Sequence, residues 1–104
     1  MKIIKELSEQ IEEEIEGAEW YAKHAIKYKE DHPTLAQTFY EISNEEMHHV
    51  DRLHTEVVKI IEEYRKKNGE PPAPMLAVYE YMHEKQIGEA NKVRMYQSQY
   101  RDSL

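Results

Sequence analysis

Three residues on two helical segments carry the chemistry this sequence can offer: Glu14, Glu46 and His49. Residues placed at 100° steps around a helix show which polar groups fall inside an apolar stripe. On the first segment the seam Leu7, Ile11, Ala18, Tyr21, Ala25, Tyr28 steps by fours and threes, and Glu14 is the member that breaks it. On the second, the face of Leu35, Phe39, Val50, Leu53 and Val57 carries Glu46 near its middle. His49 lies on the same side, about one sixth of a turn from the centre. Burying a carboxylate costs several kcal/mol unless a cation or hydrogen-bond donors compensate. Neither seam has a Lys or Arg at its centre, and Lys29 lies only near the far end of the first. A bound metal is one solution, because Glu and His three residues apart stack on one helix face and reach a single ion. A carboxylate and imidazole set suits iron or manganese, and zinc less exclusively. The alternative is a buried polar network without metal.

Spacing by itself discriminates poorly. Glu-x-x-His occurs at Glu45/His48, Glu46/His49 and Glu80/His83, where about one occurrence is expected by chance. Facing and level separate them. Glu45 and His48 rotate out toward solvent, as Glu12, Glu13, Glu16 and Glu19 rotate away from the first seam. With a turn at His32-Pro33, Glu14 lies opposite Asp51, about 3 Å along the axis from His49 and about 8 Å from Glu46. The three groups therefore converge inside the hairpin. Glu89 takes the place of Glu14 in a faint repeat that matches Met82, Val93 and Tyr96 to Leu7, Ala18 and Tyr21. Packed antiparallel to the second helix, however, Glu89 falls near His54, as a solvated or His54-paired acid. Glu80/His83 reads as surface, His24 and His32 as exposed helix ends, and Tyr79, Tyr81, Tyr96 and Tyr100 as packing groups at an oligomer contact.

Three helical segments must position these groups. The first runs over about 2–30 and stops at Asp31-His32-Pro33. Pro33 suits a first helical position, and Thr34-Leu35-Ala36-Gln37 has the form of a capping box. The second spans about 34–68 and ends at Asn68-Gly69, with Pro71, Pro72 and Pro74 preventing its resumption. The third, about 75–101, has a weaker stripe interrupted by Gln86 and Gly88. Long helices joined by so short a turn form an antiparallel hairpin. A hairpin plus one helix leaves apolar surface uncovered, so a homo-oligomer, at least a dimer, is expected.

Composition narrows the classes. At 104 residues the chain reads as one domain, 1–104. Only three Gly and four Pro occur, and three of those prolines cluster at Pro71, Pro72 and Pro74, so the evenly spread turns of a sandwich or barrel are missing. The absence of cysteine removes disulfides, iron–sulfur clusters, thiolate zinc sites and Cys nucleophiles. A net charge of −7 argues against nucleic acid and leaves cations as company. With 34% charged residues and a mean hydropathy of −0.93, no uncharged run is long enough for a bilayer. A cytoplasmic location is the default expectation.

Di-iron carboxylate bundles take one Glu from each of two helices and a Glu-x-x-His from each of the other two, and this chain offers half that set. The run Glu14-Ile-Glu-Gly-Ala-Glu-Trp20-Tyr21, followed by Asn44-Glu-Glu46-Met-His-His49, resembles the encapsulated-ferritin branch of the ferritin-like superfamily. The resemblance covers roughly residues 7–57. It implies a helical hairpin carrying half a ferroxidase centre that a second chain completes, with Glu14, Glu46 and His49 as iron ligands. It further implies that Trp20 and Tyr21 line the surroundings and that Glu13 and Glu16 are outer acids along which iron approaches. The sequence closes at Gln97-Ser-Gln-Tyr-Arg-Asp-Ser-Leu104 without a Gly- and Leu-containing targeting tail, so an encapsulin shell is not supported as a partner. Rubrerythrin is excluded by its Cys domain.

The sequence thus reads as an all-α, ferritin-like antiparallel hairpin plus a third helix, completing a four-helix bundle by oligomerisation. Its expected activity is Fe(II) binding and oxidation at a di-iron centre shared between two chains. Manganese or zinc are secondary choices. The rival reading is a non-catalytic helical interaction protein, an adaptor or phage-encoded bundle with a relict or absent metal site.

Overall fold

The computed structural model describes residues 1–104 as three helices and no strand: α1 Lys2–Tyr28, α2 Pro33–Asn68 and α3 Ala73–Asp102. Each break has a local cause. Pro33 occupies the first turn of α2, where its missing N–H costs nothing. His32 is the N-cap and makes no side-chain cap bond. The expected capping box does not form, because starting the helix at Pro33 puts Thr34 inside the first turn rather than at the cap. Gln37 instead pairs with Glu41 and accepts the Tyr100 hydroxyl at 3.0 Å. α2 closes on Gly69 at φ 76°, a backbone conformation that only glycine adopts cheaply, with its N–H donating to the Arg65 carbonyl at 3.0 Å. α3 starts two residues earlier than the stripe indicates, with Pro72 as N-cap and Pro74 within its first turn.

α1 and α2 form the antiparallel hairpin. Ile11, Ile15, Ala18, Met47, Val50, Val57 and Ile61 fill its interior together with Val93 from α3. A smaller cluster of Ala25, Ala36 and Tyr100 closes the turn end. Ala18, Ala22 and Ala25 are fully buried, and their small side chains let the helices approach closely. α3 runs parallel to α1 and antiparallel to α2. Its polar ties to α1 end on Ser8, Glu12 and Glu19, so it covers one side of α1 and touches α2 much less. That explains the weak stripe of α3. Two of its buried residues are Gln86 and Gln97, which are satisfied by the Ser8 carbonyl and the Ser43 hydroxyl. Tyr100 is also buried within the chain, stacked on Tyr40 at 5.0 Å, and is not an oligomer contact residue in the sense expected.

The assembly is long and thin. It measures 56 × 19 × 18 Å with a radius of gyration of 16.6 Å, where a globular chain of this length has about 13 Å. Its accessible surface of 6898 Å² exceeds the roughly 6200 Å² of a compact monomer of this mass. Only 16 of 104 residues are buried, so much of the apolar sequence lies half-covered. No helix is long and apolar enough to cross a membrane.

Candidate metal centre

Heptad spacing keeps residues on nearly the same side of a helix. On α1 this aligns Leu7, Glu14, Tyr21 and Tyr28; on α2 it aligns Phe39, Glu46, Leu53 and Ile60. All eight are half-buried. These strips form one face of the hairpin, on the side of α1 away from α3. Glu14 and Glu46 stand in the middle of it.

The hairpin register brings them together. Gly17 lies beneath Glu46, and a Cβ there would meet its Oε2 at 3.5 Å. Glu14 Oε2 accepts a hydrogen bond from His49 Nδ1 at 3.3 Å. Glu14 thus faces His49 itself rather than Asp51, a slightly tighter turn than the sequence implied. One ligand atom from each of Glu14, Glu46 and His49 lies within 4.8 Å of the others. The carboxylate of Glu14 is well covered, at 18% side-chain exposure, whereas His49 is 50% exposed. The cluster is therefore a half-open pocket, closed below by the hairpin and open toward the uncovered face.

Its electrostatics are those of two carboxyl groups sharing one proton. The hydrogen bond to Glu14, then burial, then the Glu14 charge push Glu46 up to about 7. Glu14 is held below its ordinary value by the hydrogen bond from Glu46, against burial and with help from His49. Near neutral pH the dyad keeps part of its negative charge neutralised by a proton. A divalent cation would serve the same purpose with both carboxylates ionised, and the His49 imidazole stands within reach as a nitrogen ligand. The donor set fits a transition ion of the iron or manganese type better than magnesium or calcium, which prefer oxygen alone.

The remaining candidates fall elsewhere. Glu45 and His48 are exposed, as are Glu13 and Glu16. Trp20 is 48% exposed; its ring stacks on His24 at 3.7 Å and meets Tyr21 edge-on at 5.1 Å. His24 is consequently half-covered rather than a free helix end, and its Nδ1–H donates to the Trp20 carbonyl at 2.7 Å. Phe39 sits among Trp20, Tyr21 and Tyr28, forming an aromatic group between the centre and the turn.

Glu89 does not reach the cluster, and its partner is not His54. Because α3 packs along α1, Glu89 lies beside Glu12, with Lys85 bridging the two at 3.6 and 3.3 Å. Burial, then the Glu12 carboxyl, raise the pKa of Glu89. Helical periodicity shows which face Glu89 occupies but not which neighbour receives it. Gly17 is the residue that sequence reasoning missed: it falls three residues after Glu14, where the close approach of a Glu from the facing helix leaves little room. Compared with protein-family models, curated proteins and solved structures, the chain matches none.

Proposed function

We propose that this chain is a ferritin-like di-iron carboxylate protein that binds and oxidises Fe(II) at a centre shared between two copies. The observation that carries this reading is the convergence of Glu14, Glu46 and His49 within 4.8 Å in the middle of a half-buried apolar face. One set of three ligands leaves an ion under-coordinated. A second copy laid on the same face covers the apolar strips and adds a second set, giving four carboxylates and two imidazoles, the complement of a di-iron carboxylate bundle.

In that arrangement Glu46, the carboxylate deepest in the dyad, bridges the two ions, while Glu14 and His49 each hold one. Iron is the substrate: each Fe(II) gives one electron to dioxygen or peroxide and leaves as Fe(III). The protein's contribution is to gather negative charge where the product is more positive than the reactant, and to leave coordination positions open. Glu13 and Glu16, exposed nearby on α1, add to the attraction for cations approaching the face.

The deciding experiment combines native mass measurement with and without Fe(II) and aerobic Fe(II) oxidation followed by ferric absorbance. The proposal expects metal bound to a dimer or larger assembly and oxidation faster than in buffer. A protein that carries no stoichiometric metal and oxidises no faster than buffer is the helical interaction module instead.

A further inference from the structure

A recess of about 850 Å³ opens at the end of the bundle where α1 begins, α2 finishes and α3 starts. That volume falls among pockets that take small molecules. Ile4 from α1, Ile61 from α2 and Met75, Leu76, Tyr79 and Met82 from α3 form its walls. Apart from the Tyr79 hydroxyl, every polar group of a lining side chain comes from α1, at Lys2, Lys5, Ser8 and Glu9. The recess is therefore apolar on two sides and charged along one edge. It has no converging polar groups to hold a sugar, a nucleotide or another polar metabolite. Its methionine side chains are unbranched and adapt to a flexible apolar occupant.

Charge at the mouth has a definite sign. The chain as a whole carries −7, yet two of the three charged residues on this lining are lysines, Lys2 and Lys5, against Glu9. Both lysines are largely exposed, in loose pairs with Glu6 at 4.0 Å and Glu9 at 3.9 Å. Exposed pairs of that kind hold their partners weakly, so both ammonium groups can turn to a ligand. α1 and α3 both start beside the recess, and neither has an acid or a side-chain cap in its first turn. The two helix ends add partial positive charge where the lysines stand.

We propose that this recess binds one free, single-chain anionic amphiphile of the fatty-acid class. The alkyl chain lies against the apolar α2 and α3 walls, and the carboxylate meets Lys2 and Lys5 on the α1 edge. The walls supply the affinity, and the lysines select the sign of the head group. A second copy laid two-fold on this end would set these lysines against their own kind, which disfavours self-association there. The recess shares no residue with the Glu14, Glu46 and His49 cluster, so the inference stands apart from the iron reading.

Calorimetric titration of the metal-free full chain with sodium dodecanoate, kept below its micelle concentration, tests this. One saturable equivalent per chain is expected. Decanoate, two methylenes shorter, should bind about tenfold more weakly. Dodecyltrimethylammonium has the same tail and the opposite charge, and should also bind about tenfold more weakly than dodecanoate. Unspecific attraction to a chain of net charge −7 would give the reverse order, so the preference reports the local site. Lys2→Glu/Lys5→Glu should abolish the preference for dodecanoate, and both positions are exposed enough to spare the fold. Val78→Asn, an exposed change on the lining, should weaken both ligands several-fold. Absence of saturable dodecanoate binding, or binding that the lysine variant leaves unchanged, overturns the proposal. Binding to phosphatidylglycerol vesicles without binding of monomeric dodecanoate overturns it too, and makes this end a membrane contact instead.

Discussion

Ser43 and Ala18 are tied inside the bundle: the Ser43 hydroxyl donates to the Ala18 carbonyl at 2.7 Å. Gln97 donates to the same hydroxyl oxygen at 2.9 Å, so all three helices meet at one buried oxygen. Ser43 lies one turn before Glu46, and Ala18 follows the Gly17 on which Glu46 rests. This bond therefore fixes the hairpin register on which the Glu14, Glu46 and His49 cluster depends.

Replacing Ser43 with Ala should remove that tie and strand the Gln97 amide in the core. The expected cost is about 1–3 kcal/mol, the penalty for a buried donor left unsatisfied. Urea unfolding followed by circular dichroism measures it. Ser43→Ala with wild-type stability would mean that packing alone sets the register.

The two overlapping Glu-x-x-His pairs provide an internal control. Glu46→Ala or His49→Ala should remove tight metal binding, because these groups lie in the cluster. Glu45→Ala and His48→Ala should leave it nearly intact, since both side chains face solvent. Calorimetric titration of the four variants with Mn(II) or anaerobic Fe(II) reads the difference. Equal losses in both pairs would rule out the assignment.

The shared proton predicts a pH effect on metal-free stability. A carboxyl whose folded pKa is raised binds its proton more tightly when folded. Its contribution is therefore lost as pH climbs from the ordinary value of 4.5 through about 7. Glu46→Gln retains a donor toward Glu14 but has no proton to lose. In the presence of chelator, its melting temperature should gain on wild type between pH 5 and pH 8, with little difference at the acid end. A gap that stays constant over that range would show that Glu46 does not titrate there.

Angular position made much of this legible in the sequence. Glu14 interrupts an otherwise apolar seam, and Glu46 and His49 lie inside one, so their convergence follows from helical periodicity and a short turn. The place of α3 was not legible, because its buried face contains Gln86 and Gln97, which a hydrophobic count reads as solvent-facing. Their partners, the Ser8 carbonyl and the Ser43 hydroxyl, exist only once the helices are packed. The misplacement of Glu89 follows from the same gap, since α3 was set against α2 rather than along α1. Thr34 misled for a local reason: Pro33 captures the first helical position, leaving the threonine hydroxyl to bond nothing at the cap.

Metal and association should be linked if the centre is shared. A ligand that binds only the paired form stabilises it by mass action. Sedimentation at fixed protein concentration should show the mass shifting upward with Fe(II) or Mn(II), or the metal should raise the melting temperature of an existing oligomer. The effect should disappear in His49→Ala. A metal-bound monomer with no tendency to pair would contradict the shared centre and require all ligands from one chain.

Glu14→Ala separates binding from chemistry. Glu14 is the carboxylate that joins the dyad to His49, accepting at 3.3 Å from its ring. Its removal leaves Glu46 and His49 to hold metal and takes one carboxylate from each iron of a paired centre. Fe(II) oxidation should slow by tenfold or more, while weak metal binding persists. The fold should survive with a modest loss of stability without metal, because the Glu14 carboxylate accepts hydrogen bonds from Glu46 and His49 that alanine cannot replace. With Glu14 gone, Glu46 loses the hydrogen bond and the charge that raise it and keeps only the effect of burial, so the pH dependence described for the metal-free protein should shrink in this variant. Oxidation rates and thermal unfolding on the same preparations test both expectations together. Slow oxidation in a stable, metal-binding variant supports a direct part for Glu14 in the reaction. Oxidation at the wild-type rate would leave Glu14 a structural partner of His49 and move the chemistry away from this cluster.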